Sequence, residues 1–158
     1  MVVPIGHYAT GEMNTSTSSS RILELRDTKG SSGFWGDSSV RLQAAIDQLM
    51  PPAVRFQVVI SRADANPITV WSAVPPHNDF VALGMVATAT PASQRPPLEL
   101  IRCVPKAWAR RAYASELVYE GAEGSVWRSK HGLLHASKGR HAPQVYELIR
   151  DEFQLGGT

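Results

Sequence analysis

The chain has 158 residues, of which 43% are hydrophobic and 19% charged, a globular composition that excludes a disordered chain and fits one domain. Its 16 Lys and Arg against 14 Asp and Glu leave a net charge of +2, and the lone Cys103 excludes an internal disulfide and suits a reducing cytosol. No apolar run approaches the ~20 residues that span a bilayer, so membrane contact is expected to be peripheral only.

Along the chain, the opening MVVPIGHYATGEMN lacks a basic n-region and a long apolar h-region, so no secretory signal is expected. Residues 11–20 are small and polar and read as a flexible loop. Arg21–Arg26 reads as a short strand, and Lys29–Gly36 as a loop bearing the aromatic pair Phe34-Trp35. Asp37 or Ser38 can cap a helix reaching about Leu49, where Met50-Pro51-Pro52 stops it, since a residue preceding proline is pushed out of the helical region.

From Val54 onward the pattern changes to strands. Val54–Ile60, Ile68–Val74, Phe80–Thr88, Leu98–Val104, Leu117–Tyr119, Ser125–Arg128, Leu133–Ala136 and Val145–Ile149 are predicted strands, rich in β-branched and aromatic residues. Asp64–Pro67 and Pro75–Asp79 supply turns, Thr90–Pro97 a proline-rich loop, and Pro105–Ala112 a short connecting segment. The fold expected is mostly β: a short-stranded β-prism or β-sandwich with one short helix near residues 38–49. Val70-Trp71 and Val126-Trp127 each begin a strand followed by a turn, and Phe34-Trp35 stands as a third echo that would suit a pseudo-threefold prism.

Physics explains the ITVWSAVPPHNDFVALGMVAT stretch without catalysis. Pro75 and Pro76 fix two backbone angles and remove two donors, which stiffens the turn. Phe80 and Ala82 alternate with Val81, Leu83 and Met85, so both faces of that strand are apolar and burial on both sides is expected. Gly84 is expected to let an aromatic, Trp71, approach its backbone. Trp71, Pro75, Pro76, Phe80, Leu83, Gly84 and Trp127 are therefore read as framework.

Charge is uneven. Residues 1–100 hold 7 basic and 8 acidic side chains, whereas 101–158 hold 9 and 6. Arg102–Arg111 contains four cations and no acid, and Arg128–His141 four more with three histidines. Such a field favours an anionic partner, and it also suits a plain solvated face. In Lys106-Ala-Trp-Ala-Arg-Arg111 an aromatic lies among three cations, a pattern that suits a bilayer headgroup layer; the alternative is that Trp108 packs inward. The candidate membrane- or anion-binding set is Lys106, Trp108, Arg110, Arg111, Arg128, Lys130, Lys138 and Arg140.

Other chemistry finds little support. His131 and His135 lie four apart without the glutamate of a hydrolytic zinc motif, and neither cysteine nor carboxylate lies among His131, His135 and His141. There is no nucleophile elbow and no phosphate loop. Cys103, between Ile101 and Val104, reads as a buried thiol. No enzyme activity, cofactor, metal or nucleic-acid partner is expected.

The combination of Trp71, Pro75-Pro76, Phe80, Val81-Ala82-Leu83-Gly84 and Arg102-Cys103-Val104 resembles the vacuolar-protein-sorting-thirteen family of bridge-like lipid-transfer proteins and its sorting-sixty-two relatives. Pro4–Tyr8, Gly124–Trp127 and Tyr146–Leu148 look like parts of the same module, and residues 11–65 match more loosely. Many family copies carry Arg-Pro after the tryptophan, where this chain has Ser72-Ala73. The resemblance implies a β-rich module, alone or within a longer polypeptide, that recognises acidic membrane lipids or an adaptor in trafficking or lipid transport. The setting implied is cytoplasmic and peripheral on organelle membranes. The related β-prism domains of multivesicular-body subunits are similar, approaching acidic membranes through basic loops. A lectin-like or toxin-type β-prism binding a sugar or a membrane receptor is the alternative, and recognition of a peptide by strand addition a third reading.

Overall fold

The computed structural model describes residues 2–7, 22–24, 39–151 and 153. The predicted loops over 11–20 and 29–36, including Phe34-Trp35, lie outside the described residues, as do the ends of the predicted 21–26 strand. Within the described residues the chain is mostly β with one α-helix, α1 (Ser39–Leu49), which ends where Met50-Pro51-Pro52 forbids another turn. Its last turn is tied down by Arg102, whose guanidinium pairs with Asp47 and donates to the Met50 carbonyl at 3.3 Å. That guanidinium holds the Asp47 carboxyl below the usual carboxylate range.

Two three-stranded antiparallel sheets share one design. In the first, β3 (Arg55–Arg62), β4 (Ile68–Val74) and β6 (Met85–Thr88) lie in the order β3-β4-β6. In the second, β9 (Glu116–Gly121), β10 (Gly124–Arg128) and β11 (Leu134–Ser137) lie in the order β9-β10-β11. Each has a register irregularity between its first two strands, at Val58/Ile60 and at Val126/Trp127, and each carries a tryptophan on its central strand. The echo between Val70-Trp71 and Val126-Trp127 is thus an echo of whole sheets. Two-stranded pairs supply the remaining wall: β1 (Val2–Pro4) with β2 (Ile22–Glu24), β5 (Phe80–Val81) with β7 (Val104–Pro105), and β8 (Ala109–Tyr113) with β12 (Gln144–Leu148).

The walls meet along Pro4–His7. Arg102 N–H donates to Pro4 O at 2.9 Å, His7 N–H to Met85 O at 3.0 Å, and Leu134 N–H to His7 O at 2.7 Å. One short segment is thereby bonded to β6, to β11 and to the strand-like stretch before β7. Backbones approach this closely because Gly6 faces Gly84: a Cβ on Gly6 would lie 2.9 Å from the Gly84 Cα, and one on Gly84 3.3 Å from the Leu133 Cβ. Around this junction Val3, Ile5, Ile46, Met50, Val81, Leu83, Val104 and Leu133 form one core cluster. Phe56, Trp71, Val86 and Ile101 anchor a second within the first sheet, and Val70, Leu134 and Ala136 a third between the two sheets.

Three expectations change in detail. Phe80–Thr88 is not one strand but two, β5 and β6, because the chain bends at Leu83-Gly84 to meet Gly6. The close approach at Gly84 is therefore made by the Gly6 backbone and not by Trp71. Leu98–Val104 is not a strand: Leu98–Leu100 forms a 3₁₀ turn after Pro96-Pro97, and Leu98 and Leu100 face solvent. Only Arg102, bridged to Pro52, and then β7 resume extended pairing. Among the described residues no helix is long and apolar enough to cross a membrane.

Candidate functional site

Trp71 and Leu83, each 1% exposed, lie in the interior. Trp71 Nε1 donates to Thr88 Oγ1 at 2.9 Å, and Thr90 donates to the same hydroxyl at 2.9 Å, so the buried indole is satisfied. Trp127 is half-buried, and its Nε1 donates to Ser125 Oγ at 2.7 Å. Pro75 and Pro76 sit in the turn after β4, and Pro76, His77, Asn78 and Asp79 are exposed. His77 and Asp79 pair at 3.0 Å on the surface. Phe80 is half-buried and contributes to a shallow, mainly apolar cleft of about 330 Å³ with Leu49, Pro105, Lys106 and Ala107.

The basic residues divide by geometry into separate groups. Lys106 and Trp108 belong to a 3₁₀ turn, Lys106–Trp108, that leads into β8. Trp108 packs against the first core cluster and stacks on Phe153, with ring centroids 4.7 Å apart and planes at 17°. That ring is occupied within the protein, which favours the inward-packing reading of Trp108. Arg110 and Arg111 are neighbours in β8, so they project from opposite faces of the sheet. Arg110 lies opposite Glu147 and Arg111 opposite Tyr146. The Tyr146 side packs on the core, and the Glu147 side meets the β10–β11 hairpin, where Lys130 N–H donates to Glu147 Oε1 at 3.3 Å. Glu147, which is 5% exposed, thus lies opposite Arg110 in the ladder and accepts the Lys130 backbone amide.

The second basic set is divided as well. Arg128 pairs with Glu116, and Arg140 with Glu120 at 2.9 Å, so two cations are partly neutralised by acids of β9. Lys130 precedes β11 and Lys138 follows it, at opposite ends of the strand. Lys106, Arg110, Arg111, Lys130 and Lys138 form no ion pair among the described residues. Glu116, Glu120 and Glu147 are the residues that sequence reasoning missed. Glu116 was findable from hairpin register, since it lies directly opposite Arg128, whereas Arg140 reaches Glu120 from beyond β11.

The three histidines have different surroundings. His131 lies in the turn before β11, His135 is buried in β11, and His141 is exposed. Burial pushes the His135 imidazole down to about 4. Among the described residues no three His, Cys, Asp or Glu side chains are grouped to hold a metal ion. Cys103 is buried, and desolvation pushes its thiol up to about 11. The native protein is expected to resist alkylation by iodoacetamide at pH 8 and to react stoichiometrically once unfolded in urea; mass spectrometry of the adduct checks this.

No known family profile matches the chain, and no curated protein matches it. Among solved structures, the crystal structure of GNIP1Aa from Chromobacterium piscinae is similar in fold, with a TM-score of 0.56 at 17% sequence identity. The likeness covers 90% of this chain and 26% of that one, so this chain spans about a quarter of the length of the protein it resembles, and at this identity what the two share is the fold.

Proposed function

We infer that this chain is a non-enzymatic recognition module that binds acidic membrane lipids through cations displayed on a rigid β scaffold. The observation that carries the reading is the separation of roles: Trp71 and Leu83 are interior, while Lys106, Arg110, Arg111, Lys130 and Lys138 are left without carboxylate partners among the described residues. Attachment of a trafficking or lipid-transport protein to a membrane is the role that fits, in keeping with the resemblance of residues 71–104 to the vacuolar-protein-sorting-thirteen family. Recurrence of the fold as about a quarter of a longer protein suits an appended module.

Because Arg110 shares its side of β8 with the Lys130 loop, that side is the one assigned to the membrane, and Arg111 contributes little. Each cation near an anionic surface contributes about 1 kcal/mol. The double reversal Arg110→Glu with Lys130→Glu is therefore expected to weaken binding to vesicles containing phosphatidylserine by tenfold or more, and Arg111→Glu far less. Wild-type binding should also fall steeply between 0.05 and 0.5 M salt. Co-sedimentation measures both. Binding indifferent to salt and to the double reversal sinks the reading; binding to a glycan array that is equally indifferent to these charges supports the lectin-like or toxin-type β-prism instead.

A further inference from the structure

The cleft of about 330 Å³ is built where three parts of the chain meet. Leu49 closes α1, Phe80 opens β5, and Pro105, Lys106 and Ala107 lead from β7 into the 3₁₀ turn. These walls are fixed to one another. Phe80 lies opposite Pro105 in the β5–β7 ladder, Lys106 N–H donates to Asp79 O at 2.7 Å, and Arg102 donates to the Met50 carbonyl at the end of α1. A cleft with walls fixed in this way is pre-formed, so its filling carries little ordering cost. Leu49 and Phe80 are only half-buried, which leaves apolar surface in water.

Size and lining select the occupant. The volume stands at the low end of the range for small-ligand sites, which suits one alkyl chain. A peptide main chain finds no ladder to join: Phe80 N–H is spent on His77 O at 3.2 Å, Lys106 N–H on Asp79 O, and Pro105 has none. Two charged residues line the cleft. Lys106 is exposed and forms no ion pair among the described residues, whereas the Asp79 carboxylate lies 3.0 Å from His77 Nδ1. The C-terminal end of α1, whose carbonyls would oppose an anion, is met by the Arg102 guanidinium.

We propose that this cleft binds a single-chain anionic amphiphile, its alkyl chain packed on Leu49, Phe80, Pro105 and Ala107 and its carboxylate at the Lys106 ammonium. Burial of methylenes supplies the affinity, and Lys106 selects the sign of the head group.

Calorimetric titration of the whole chain with free decanoate, below its micelle concentration and with no bilayer present, tests the site independently of the vesicle reading. Decanoate is expected to bind about fivefold or more tighter than octanoate, because each buried methylene adds to affinity. Lys106→Glu should weaken decanoate about fivefold, and Ala107→Trp, which fills the cleft, should abolish binding. The double reversal Arg110→Glu with Lys130→Glu should leave it unchanged. Decyltrimethylammonium binding as tightly as decanoate overturns the proposal, as does wild-type affinity in Ala107→Trp or an equal loss in the double reversal. Should Ala107→Trp fail to fold, nuclear Overhauser contacts in the wild type decide the matter. Contacts from the decanoate methyl group to Leu49 and Phe80 support the site, and their absence overturns it.

Discussion

Gly6→Ala is expected to destabilise the protein by about 3–5 kcal/mol, a large share of the ~5–15 kcal/mol that keeps a domain folded. Two costs combine. Gly6 holds φ +140°, a region that residues with a side chain rarely adopt, at about 1–3 kcal/mol. Its added Cβ would also lie 2.9 Å from the Gly84 Cα, and backbone cannot rotate aside as a flexible side chain can. Because Gly6 lies between three hydrogen bonds that join separate parts of the fold, a shift there disturbs all three. Gly139→Ala is the control: its Cβ would meet nothing closer than the Ser137 hydroxyl at 3.8 Å, so a change within about 0.5 kcal/mol is expected. Urea denaturation followed by circular dichroism measures both, and a Gly6→Ala midpoint close to wild type would refute the packing account of the junction.

Trp71→Ala is expected to cost a comparable ~3–5 kcal/mol, for a different reason. The indole is enclosed with Phe56, Val86 and Ile101, so its removal leaves a cavity in a core that cannot collapse around it. It also strips Thr88 of one donor, although Thr90 still bonds that hydroxyl. Trp71→Phe keeps most of the volume and should cost about 1–2 kcal/mol, the loss of a buried donor plus imperfect packing. This milder variant separates framework from site. If Trp71 only supports the fold, Trp71→Phe binds acidic vesicles as wild type does; a tenfold loss with the fold intact would make the indole part of the recognition surface.

The interior half of this molecule was legible in its sequence because local rules wrote it there. Alternating apolar residues around Phe80–Met85 announced burial, prolines 51 and 52 marked the end of α1, and the β-branched run at Ile68–Val74 announced a central strand. Legibility stopped where partners came from distant parts of the chain. That Gly84 meets Gly6 depends on a contact 78 positions away, which no periodicity encodes. Leu98–Val104 carried strand-forming residues, yet Pro96-Pro97 and the demands of the bridge to Pro52 turned its first half into a 3₁₀ turn.

The basic surface was read less well for a geometric reason. Counting cations in Lys106–Arg111 treats them as one patch, whereas the pleat sends Arg110 and Arg111 apart and the Phe153 stack claims Trp108. The composition of Arg128–His141 likewise hid the acids of β9, which precede that stretch by only a few residues but reach its arginines across strands. Charge content survives in a sequence; the direction in which charge points does not.

The position of Ile5–His7 also dictates when this protein can finish folding. The keystone of the architecture leaves the ribosome well before the amide that secures its far side, which belongs to Leu134. At roughly 5–20 residues added per second, Ile5–His7 waits several seconds or more for the partners that follow it. Single sheets can pair in that interval, but closure must wait for Leu134. Assembly therefore resembles an arch whose central stone is cut well before the stones that lock it.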